Sequence, residues 1–196
     1  MKTLYISLKI FLFFTILTGV IYPLFVTGIA QLTMPAKANG SLILKNNNII
    51  GSELIGQRFD SVIYFSSRPS AISYNPLPSG GSNFGLTNAK LKHAVDSLKN
   101  RFVVFNQLDG NTTIPSEMLF ASASGLDPHI SQKAALLQVD RIARARGLSL
   151  DRKQKLIQSV KTMTEAPQFL LLGEERVNVL ILNLELDKVD SNTTNK

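Results

Sequence analysis

Apolar residues dominate the first part of the chain in one unbroken run. No charged side chain lies between Ile10 and Leu32. At a rise of about 1.5 Å per residue, a helix of this length spans roughly 34 Å, enough for the hydrocarbon core of a bilayer. Pro23 has no N–H to donate, which predicts a kink near the middle. The pattern therefore predicts one transmembrane helix over residues 10–32.

A cleaved secretory signal is the alternative interpretation of this segment. Lys2 and Lys9 could form a charged n-region, and Ala36-Lys37-Ala38 fits the small-x-small cleavage pattern. The apolar run is longer than the roughly 7–15 residues of a signal, which favours a retained anchor. Lys2 and Lys9 on one side, against Lys37 and Lys45 on the other, favour a cytoplasmic N-terminus by a small margin. We therefore expect the rest of the chain on the outer side.

Short apolar runs separated by breakers follow the anchor. Ser41–Leu44 and Ile49–Ile50 flank a polar turn at residues 46–48, which predicts a β-hairpin. A further apolar run at residues 62–65 leads into a loop over residues 66–88 that is rich in proline and glycine. A loop of this length is typical of a binding segment or a disordered one. Its aromatic residues favour an ordered loop.

Helical periodicity marks the next part of the chain. Thr87 or Asn88 can cap a helix. The apolar face of that helix would consist of Leu91, Val95, Leu98 and Phe102. A second helix is predicted over Ser131–Arg146, because Ser131 can cap it and Gly147 can end it. A third helix is predicted over residues 150–164.

The second predicted helix has an apolar stripe opposite a basic face. The stripe comprises Ala135, Leu136, Val139, Ile142 and Ala143. We expect Arg141, Arg144 and Arg146 on the exposed side, where Asp140 can pair with Arg144 one turn later. A solvated face is the first interpretation of these arginines, and a contact surface for an acidic partner is the alternative.

The last apolar pattern, at residues 176–187, alternates and predicts a strand. Strands at both ends with helices between them predict an α+β fold, in which one N-terminal transmembrane helix precedes a single mixed α/β soluble domain. The predicted organisation is a cytoplasmic N-terminus at 1–9, a transmembrane helix at 10–32, a linker at 33–40, a soluble domain at 41–188 and a flexible tail at 189–196.

Composition excludes several kinds of site. The chain has a formal charge of +7, two histidines and no cysteine. Disulfides, thiolate zinc sites and cysteine nucleophiles are therefore excluded, and no histidine spacing fits a metal site. Charges of both signs are interleaved, which favours a solvated surface over a nucleic-acid site.

Two clusters could carry chemistry. Ser122, Ser124, Asp127 and His129 fall close together in sequence, but no G-x-S-x-G motif is present, and a turn before the second helix is the simpler interpretation. The loop of Ser79, Gly80, Gly81, Ser82 and Asn83 could offer backbone amides to a phosphate. It lacks the Gly-Lys-Ser/Thr ending of a P-loop. A flexible or tightly turning loop is the alternative.

Three segments of the chain resemble one known family. They are RPSAISYNPLPSGGSNFGLTN at residues 68–88, ASASGLDPHISQKAALLQVDRIARARGLS at 121–149 and LGEERVNVLILNLELD at 172–187. The chain resembles the C chain of bacterial Kdp potassium-transporting ATPases, which also begins with one membrane helix. Leu86 stands where we expect proline in that family, and Asp140 stands where we expect proline or a similar residue before the arginine.

The resemblance implies a non-hydrolytic subunit of the bacterial inner membrane that assembles with a channel-like A chain, a P-type ATPase B chain and a small F chain. It has no catalytic or metal-binding residue of its own. The family is described as raising the ATP affinity of the B chain, so ATP is a possible ligand and residues 79–83 are the candidate nucleotide contacts. The candidates for partner contacts are Arg68, Asn75, Asp127, His129, Arg141 and Arg144. A membrane-anchored serine hydrolase using Ser124 and His129, and a binding protein secreted after cleavage behind Ala38, are the alternatives.

Overall fold

The computed structural model describes residues 2–77, 80–169 and 171–191. Contacts within the chain divide it into two compact units, Met1–Ser52 and Glu53–Lys196. The first unit holds the apolar helix and a hairpin, and the second holds helices with a two-stranded sheet. The mixed α/β class predicted from the sequence is confirmed. The predicted hairpin belongs to the first unit, and the sequence-based domain boundaries stay predictions.

The N-terminal helix runs over Lys2–Thr33, has a mean hydropathy of 2.2 and is long and apolar enough to cross a membrane. It consists of α1, Lys2–Ile16, a π-helical turn, Leu17–Ile21, and α2, Tyr22–Thr33. In the turn, the N–H of Tyr22 donates to the carbonyl of Leu17, five residues back. A wide turn of this kind next to Pro23 is one of the usual causes of helix irregularity. No side chain of α1 or α2 is buried.

A short helix and a hairpin complete the first unit. The helix α3 covers Pro35–Ala38, and the strands β1, Leu42–Lys45, and β2, Asn48–Ser52, pair antiparallel. Asn46 and Asn47 form the turn with φ of 52° and 65°. Asparagine adopts these left-handed angles more readily than most residues, as a tight hairpin turn requires. The predicted hairpin is confirmed.

The second unit is built from short elements around one core. Its elements are α4, Ala89–Asn106; a 3₁₀ turn, Ser116–Met118; β3, His129–Ile130; α5, Gln132–Leu136; α6, Val139–Ala145; α7, Leu150–Thr162; β4, Val177–Asn178; and α8, Val179–Ser191. The largest fully buried apolar side chains are those of Phe65, Ile130, Ile142, Leu156, Leu182 and Leu186. Burial of each such side chain contributes roughly 1.5–3 kcal/mol, so this cluster holds the unit together.

Local capping signals locate the helix starts. The side chains of Asn88, Ser131 and Ser149 accept hydrogen bonds from the N–H groups of Lys90, Ala134 and Arg152. The helix predicted over Ser131–Arg146 is broken into α5 and α6. At the break, the N–H of Gln138 donates to the carbonyl of Ala135, three residues back, whereas an α-helical bond reaches four residues back. Gly147, with φ of 60°, follows α6. Asp140 pairs with Lys153 at 2.7 Å on α7, and the predicted pair with Arg144 is not formed.

The strand predicted at residues 176–187 is wrong. Only Val177–Asn178 is extended, paired with β3, and the helix α8 follows. Val179, Leu182, Asn183 and Leu186 are buried. Their spacing of three and four residues is that of one helix face. Leucines also stand at every second position from Leu180 to Leu186, and the pattern alone therefore fits both structures.

Candidate functional site

The segment at residues 61–66 has no regular secondary structure, yet it lies against the core, with Phe65 fully buried. Asn183 on α8 accepts the N–H of Phe65 at 2.8 Å and donates to its carbonyl at 3.0 Å. Gln138 accepts the N–H of Ser66 at 2.7 Å and donates to its carbonyl at 3.4 Å. Two side-chain amides thus take the place of neighbouring strands, because buried backbone groups need partners.

Arg141 holds the same segment from α6. It is 3 % exposed. Its guanidinium donates to the carbonyls of Val62 and Tyr64 and to the side-chain oxygen of Asn106, and it stacks 4.5 Å from the ring centroid of Phe105. Burial lowers the pKa of Arg141 to about 10, which leaves the group charged at neutral pH. The prediction that Arg141 lies on an exposed basic face is wrong, and its described contacts are all internal.

Arg146 makes a similar internal contact, and its side chain is 7 % exposed. It donates to the carbonyl of Ile63 at 2.8 Å and to the carboxylate of Asp187 at 3.0 Å. The Asp187 carboxylate also accepts the hydroxyl of Tyr64 at 3.3 Å, and burial together with this carboxylate raises the pKa of Tyr64. Of the three arginines placed on the exposed face, only Arg144 is exposed.

Arg68, Asp127 and His129, predicted from the sequence as partner contacts, lie together. Arg68 donates from Nη1 to Asp127 Oδ2 at 2.6 Å. The backbone N–H of His129 reaches Asp127 Oδ1 at 2.9 Å, and the ring Nδ1 lies 3.5 Å from the same oxygen. Burial raises the pKa of Asp127, but hydrogen bonds from His129 and Arg68 outweigh it and lower the pKa to about 2. Asn75 lies apart, in an exposed turn where it accepts the N–H of Leu77.

A cleft of about 250 Å³ opens beside this cluster. One wall is residues 58–74, and the other is α4 with Met118. The polar residues at the cleft are Arg58, Asp60, Ser66, Ser67, Arg68, Ser70, Ser73, Tyr74 and Arg101. The apolar ones are Phe59, Pro69, Leu98, Phe102, Phe105 and Met118. The lining therefore mixes aromatic side chains with a larger number of polar and charged ones.

The backbone is strained at the edge of this cleft. Ser73 and Tyr74 have φ of 53° and 61°, a conformation that costs a bulky residue such as tyrosine about 1–3 kcal/mol. Tyr74 is held there by its N–H, which donates to Ser70 Oγ at 3.0 Å, and by its hydroxyl, which donates to the carbonyl of Arg68. Burial raises the pKa of Tyr74. The strained turn thereby fixes the backbone of Arg68, to which the Tyr74 hydroxyl is bonded. The only sign of this turn in the sequence is the aromatic content of the loop.

The predicted nucleotide loop lacks the surroundings of a P-loop. Ser79 lies outside the described residues, and Gly80, Gly81, Ser82 and Asn83 have no regular secondary structure. The next helix, α4, begins only at Ala89. A P-loop places its glycines between a strand and the first turn of a helix. The nucleotide role of residues 79–83 stays a prediction.

Ser124 and His129 line different grooves. Ser124 lies with Leu54 and Leu126, whereas His129 lies with Glu117 and Glu174. The hydroxyl of Ser124 accepts the N–H of Leu126 at 3.1 Å, as in a turn. A hydrolase needs its nucleophile within hydrogen-bond reach of the base, so this placement gives no support to that alternative. Within the part of the chain that the structure describes, no group of three or more His, Cys, Asp or Glu side chains could hold a metal ion.

Comparisons with known proteins agree over nearly the whole chain. A sequence model of the family described as "K+-transporting ATPase, c chain" matches residues 4–188. A potassium-transporting ATPase KdpC subunit of Polaromonas naphthalenivorans is 50 % identical over 92 % of each chain. The subunit of the same name from Methylococcus capsulatus is 50 % identical over 92 % of this chain and 95 % of its own. That of Geotalea uraniireducens is 47 % identical over 96 % of this chain and 99 % of its own. The chain therefore belongs to the KdpC family, the c chain of K+-transporting ATPases.

Proposed function

We propose that this chain is a non-hydrolytic accessory subunit that stabilises an assembled, ATP-driven potassium importer. The family match over residues 4–188 carries the proposal. Its partners are the channel-like A chain, the P-type ATPase B chain, which hydrolyses ATP, and the small F chain. The buried polar side chains of the second unit support a structural role, since those of Gln138, Arg141 and Asn183 form hydrogen bonds with the backbone of residues 61–66.

The N-terminal helix is the proposed contact within the membrane. It has no charged side chain between Ile10 and Leu32, and none of its side chains in α1 or α2 is buried by the chain itself. A Cβ added at Gly19 or Gly28 would meet nothing within 4 Å. This chain therefore has no internal need for glycine at either position, whereas a helix packed closely against a neighbour does. We propose that the helix packs on another chain of the pump through these small residues.

The orientation follows from charge. Lys2, Lys9 and the amino terminus favour the cytoplasm, so the second unit lies outside the bacterial inner membrane in this proposal. ATP is cytoplasmic and cannot reach a domain on that side. An effect of this chain on the ATP affinity of the B chain is accordingly transmitted through the assembly, without direct contact between ATP and residues 79–83.

Affinity purification of the tagged full-length chain from detergent-solubilised membranes tests the proposal. The expected result is that the A, B and F chains copurify and that potassium-stimulated ATP hydrolysis occurs only in the complex. A purified chain that hydrolyses ATP alone, or that recovers none of the other chains, contradicts it. The intact mass of the recovered chain also decides between a retained anchor and cleavage behind Ala38.

A further inference from the structure

One face of the hairpin formed by β1 and β2 is apolar, and the described part of the chain leaves it largely exposed. Leu44 pairs directly with Ile49, and Leu42 stands two positions before Leu44, so the three side chains lie on the same face. Leu42, Leu44 and Ile49 are 50 %, 63 % and 64 % exposed. A two-stranded hairpin is at best marginally stable by itself in water, so covering this face would stabilise it.

Hydrogen bonds tie this hairpin to the end of the N-terminal helix. The side-chain amides of Gln31, in the last turn of α2, and Asn39 exchange two hydrogen bonds of 3.1 and 3.3 Å. Ser52, the last residue of β2, donates from Oγ to the carbonyl of Gly40 at 2.6 Å. Because Gly40 directly follows Asn39, both ends of the hairpin are held beside the end of α2.

A membrane-spanning helix leaves the lipid at this level. The uncharged run that contains α2 ends at Ala36, and Lys37 follows it. The headgroup layer occupies roughly 5–8 Å on each side of the hydrocarbon core. A segment tied to the last turn of the helix therefore lies in this layer or next to it.

The charge around the hairpin fits a phospholipid surface. Residues 1–52 contain no aspartate or glutamate, whereas Lys37 precedes the hairpin and Lys45 ends β1. Lysines near a membrane surface are attracted to its negatively charged lipids. Helices that lie in the membrane interface combine an apolar face with basic residues, and the hairpin has the same combination.

We propose that the apolar face of the hairpin, formed by Leu42, Leu44 and Ile49, lies in the membrane interface against the upper part of the phospholipid acyl chains. This inference rests on the membrane anchor of the proposed function, and it holds for either orientation of the helix. The hairpin then gives the anchor a second contact with the lipid. Lys37 and Lys45 oppose deeper insertion, because a charged group is costly in hydrocarbon.

The test uses tryptophan fluorescence of the full-length chain in vesicles of phosphatidylcholine and phosphatidylglycerol. The chain contains no tryptophan, so a single introduced one reports its own surroundings. Leu44→Trp and Ile49→Trp probe the hairpin at two exposed positions. Tyr22→Trp probes the middle of the helix. Leu150→Trp, exposed on α7 beside the charged residues 151–153, is the matched control for the preference of tryptophan itself for membrane interfaces.

Lipids brominated near the headgroup should quench both hairpin tryptophans more strongly than lipids brominated near the methyl end of the acyl chain. The order should be reversed for Tyr22→Trp, and only the aqueous quencher acrylamide should reach Leu150→Trp. Lipid quenching of Tyr22→Trp without lipid quenching of Leu44→Trp and Ile49→Trp overturns this inference and leaves the anchor standing. Hairpin tryptophans that become protected from acrylamide only when the A, B and F chains are present overturn it in favour of a protein partner. No lipid quenching of Tyr22→Trp contradicts the anchor, and the inference fails with it.

Discussion

Asn183 and Phe65 are joined by a reciprocal pair of hydrogen bonds, N–H to Oδ1 at 2.8 Å and Nδ2 to carbonyl at 3.0 Å. They lie 118 residues apart in sequence. The side-chain amide of Asn183 therefore imitates a strand neighbour for a buried segment that has none. The position of that segment, and of the cleft loop that continues from it, depends on this contact.

Asn183→Ala should destabilise the chain. The substitution leaves the N–H and carbonyl of Phe65 buried without partners, at about 1–3 kcal/mol for each group, so we expect a loss of roughly 2–6 kcal/mol. The free energy of unfolding from urea titrations measures it. Asn100→Ala, at an exposed position of α4, is the control and should change stability by less than about 0.5 kcal/mol. Equal effects of the two substitutions would contradict the role of Asn183.

Arg141 and Arg144 give a matched pair on one helix. Arg141→Gln removes the donors that bind the carbonyls of Val62 and Tyr64, whereas Arg144→Gln changes an exposed side chain. We expect Arg141→Gln to lower the free energy of unfolding by about 3–5 kcal/mol and Arg144→Gln by less than about 0.5 kcal/mol. Thermal and urea unfolding check both values. Similar small losses in both variants would restore the interpretation that both arginines are on the surface.

Asp127 should make stability depend on pH in the acid range. Its pKa in the folded chain is lowered from 3.8 to about 2. A lowered pKa contributes stability above the unfolded value, here about 2 kcal/mol, and that contribution disappears as pH falls from about 4 to about 2. The difference in unfolding free energy between the unmodified chain and Asp127→Asn should therefore shrink over this window. Urea titrations at pH 6, 4, 3 and 2 measure it, and a difference that stays constant down to pH 2 would rule out this linkage.

Gly28 should matter to assembly and not to the fold of this chain. Space around the glycine is open, so Gly28→Ala and Gly28→Leu leave helix content unchanged by circular dichroism. If the helix packs on another chain there, recovery of the complex should decrease from Gly28 through alanine to leucine, since larger side chains separate the helices. Quantification of the copurified chains tests this. Full recovery with leucine would place the contact elsewhere on the helix.

Local signals in the sequence predicted much of the fold. Asn88 and Ser131 mark helix starts because their side chains bind N–H groups two or three residues later, and this chemistry is visible in sequence. The turn at Asn46–Asn47 is equally local. The α8 segment fits a strand pattern because its leucines are spaced by two, whereas Leu182 and Leu186, four residues apart, also share one helix face.

The arginines could not be placed from sequence. Arg141 and Arg146 are buried because the segment at residues 61–66 packs over α6, about 80 positions away in sequence. Helical periodicity reports only which face of a helix is apolar, and it contains no information on which distant backbone carbonyls need donors. For the same reason the sequence grouped Arg141 with Arg68 as a surface candidate, although the structure brings only Arg68, Asp127 and His129 together.

The proposed role is tested most directly by removing this chain from cells that otherwise make the complete pump. The measurement is the amount of assembled A, B and F chains recovered from the membrane, together with ATP-driven potassium uptake by the same material in vesicles. We predict that both are lost and that both return when the full-length chain is supplied. A fully assembled pump with unchanged uptake in the absence of this chain would contradict the account.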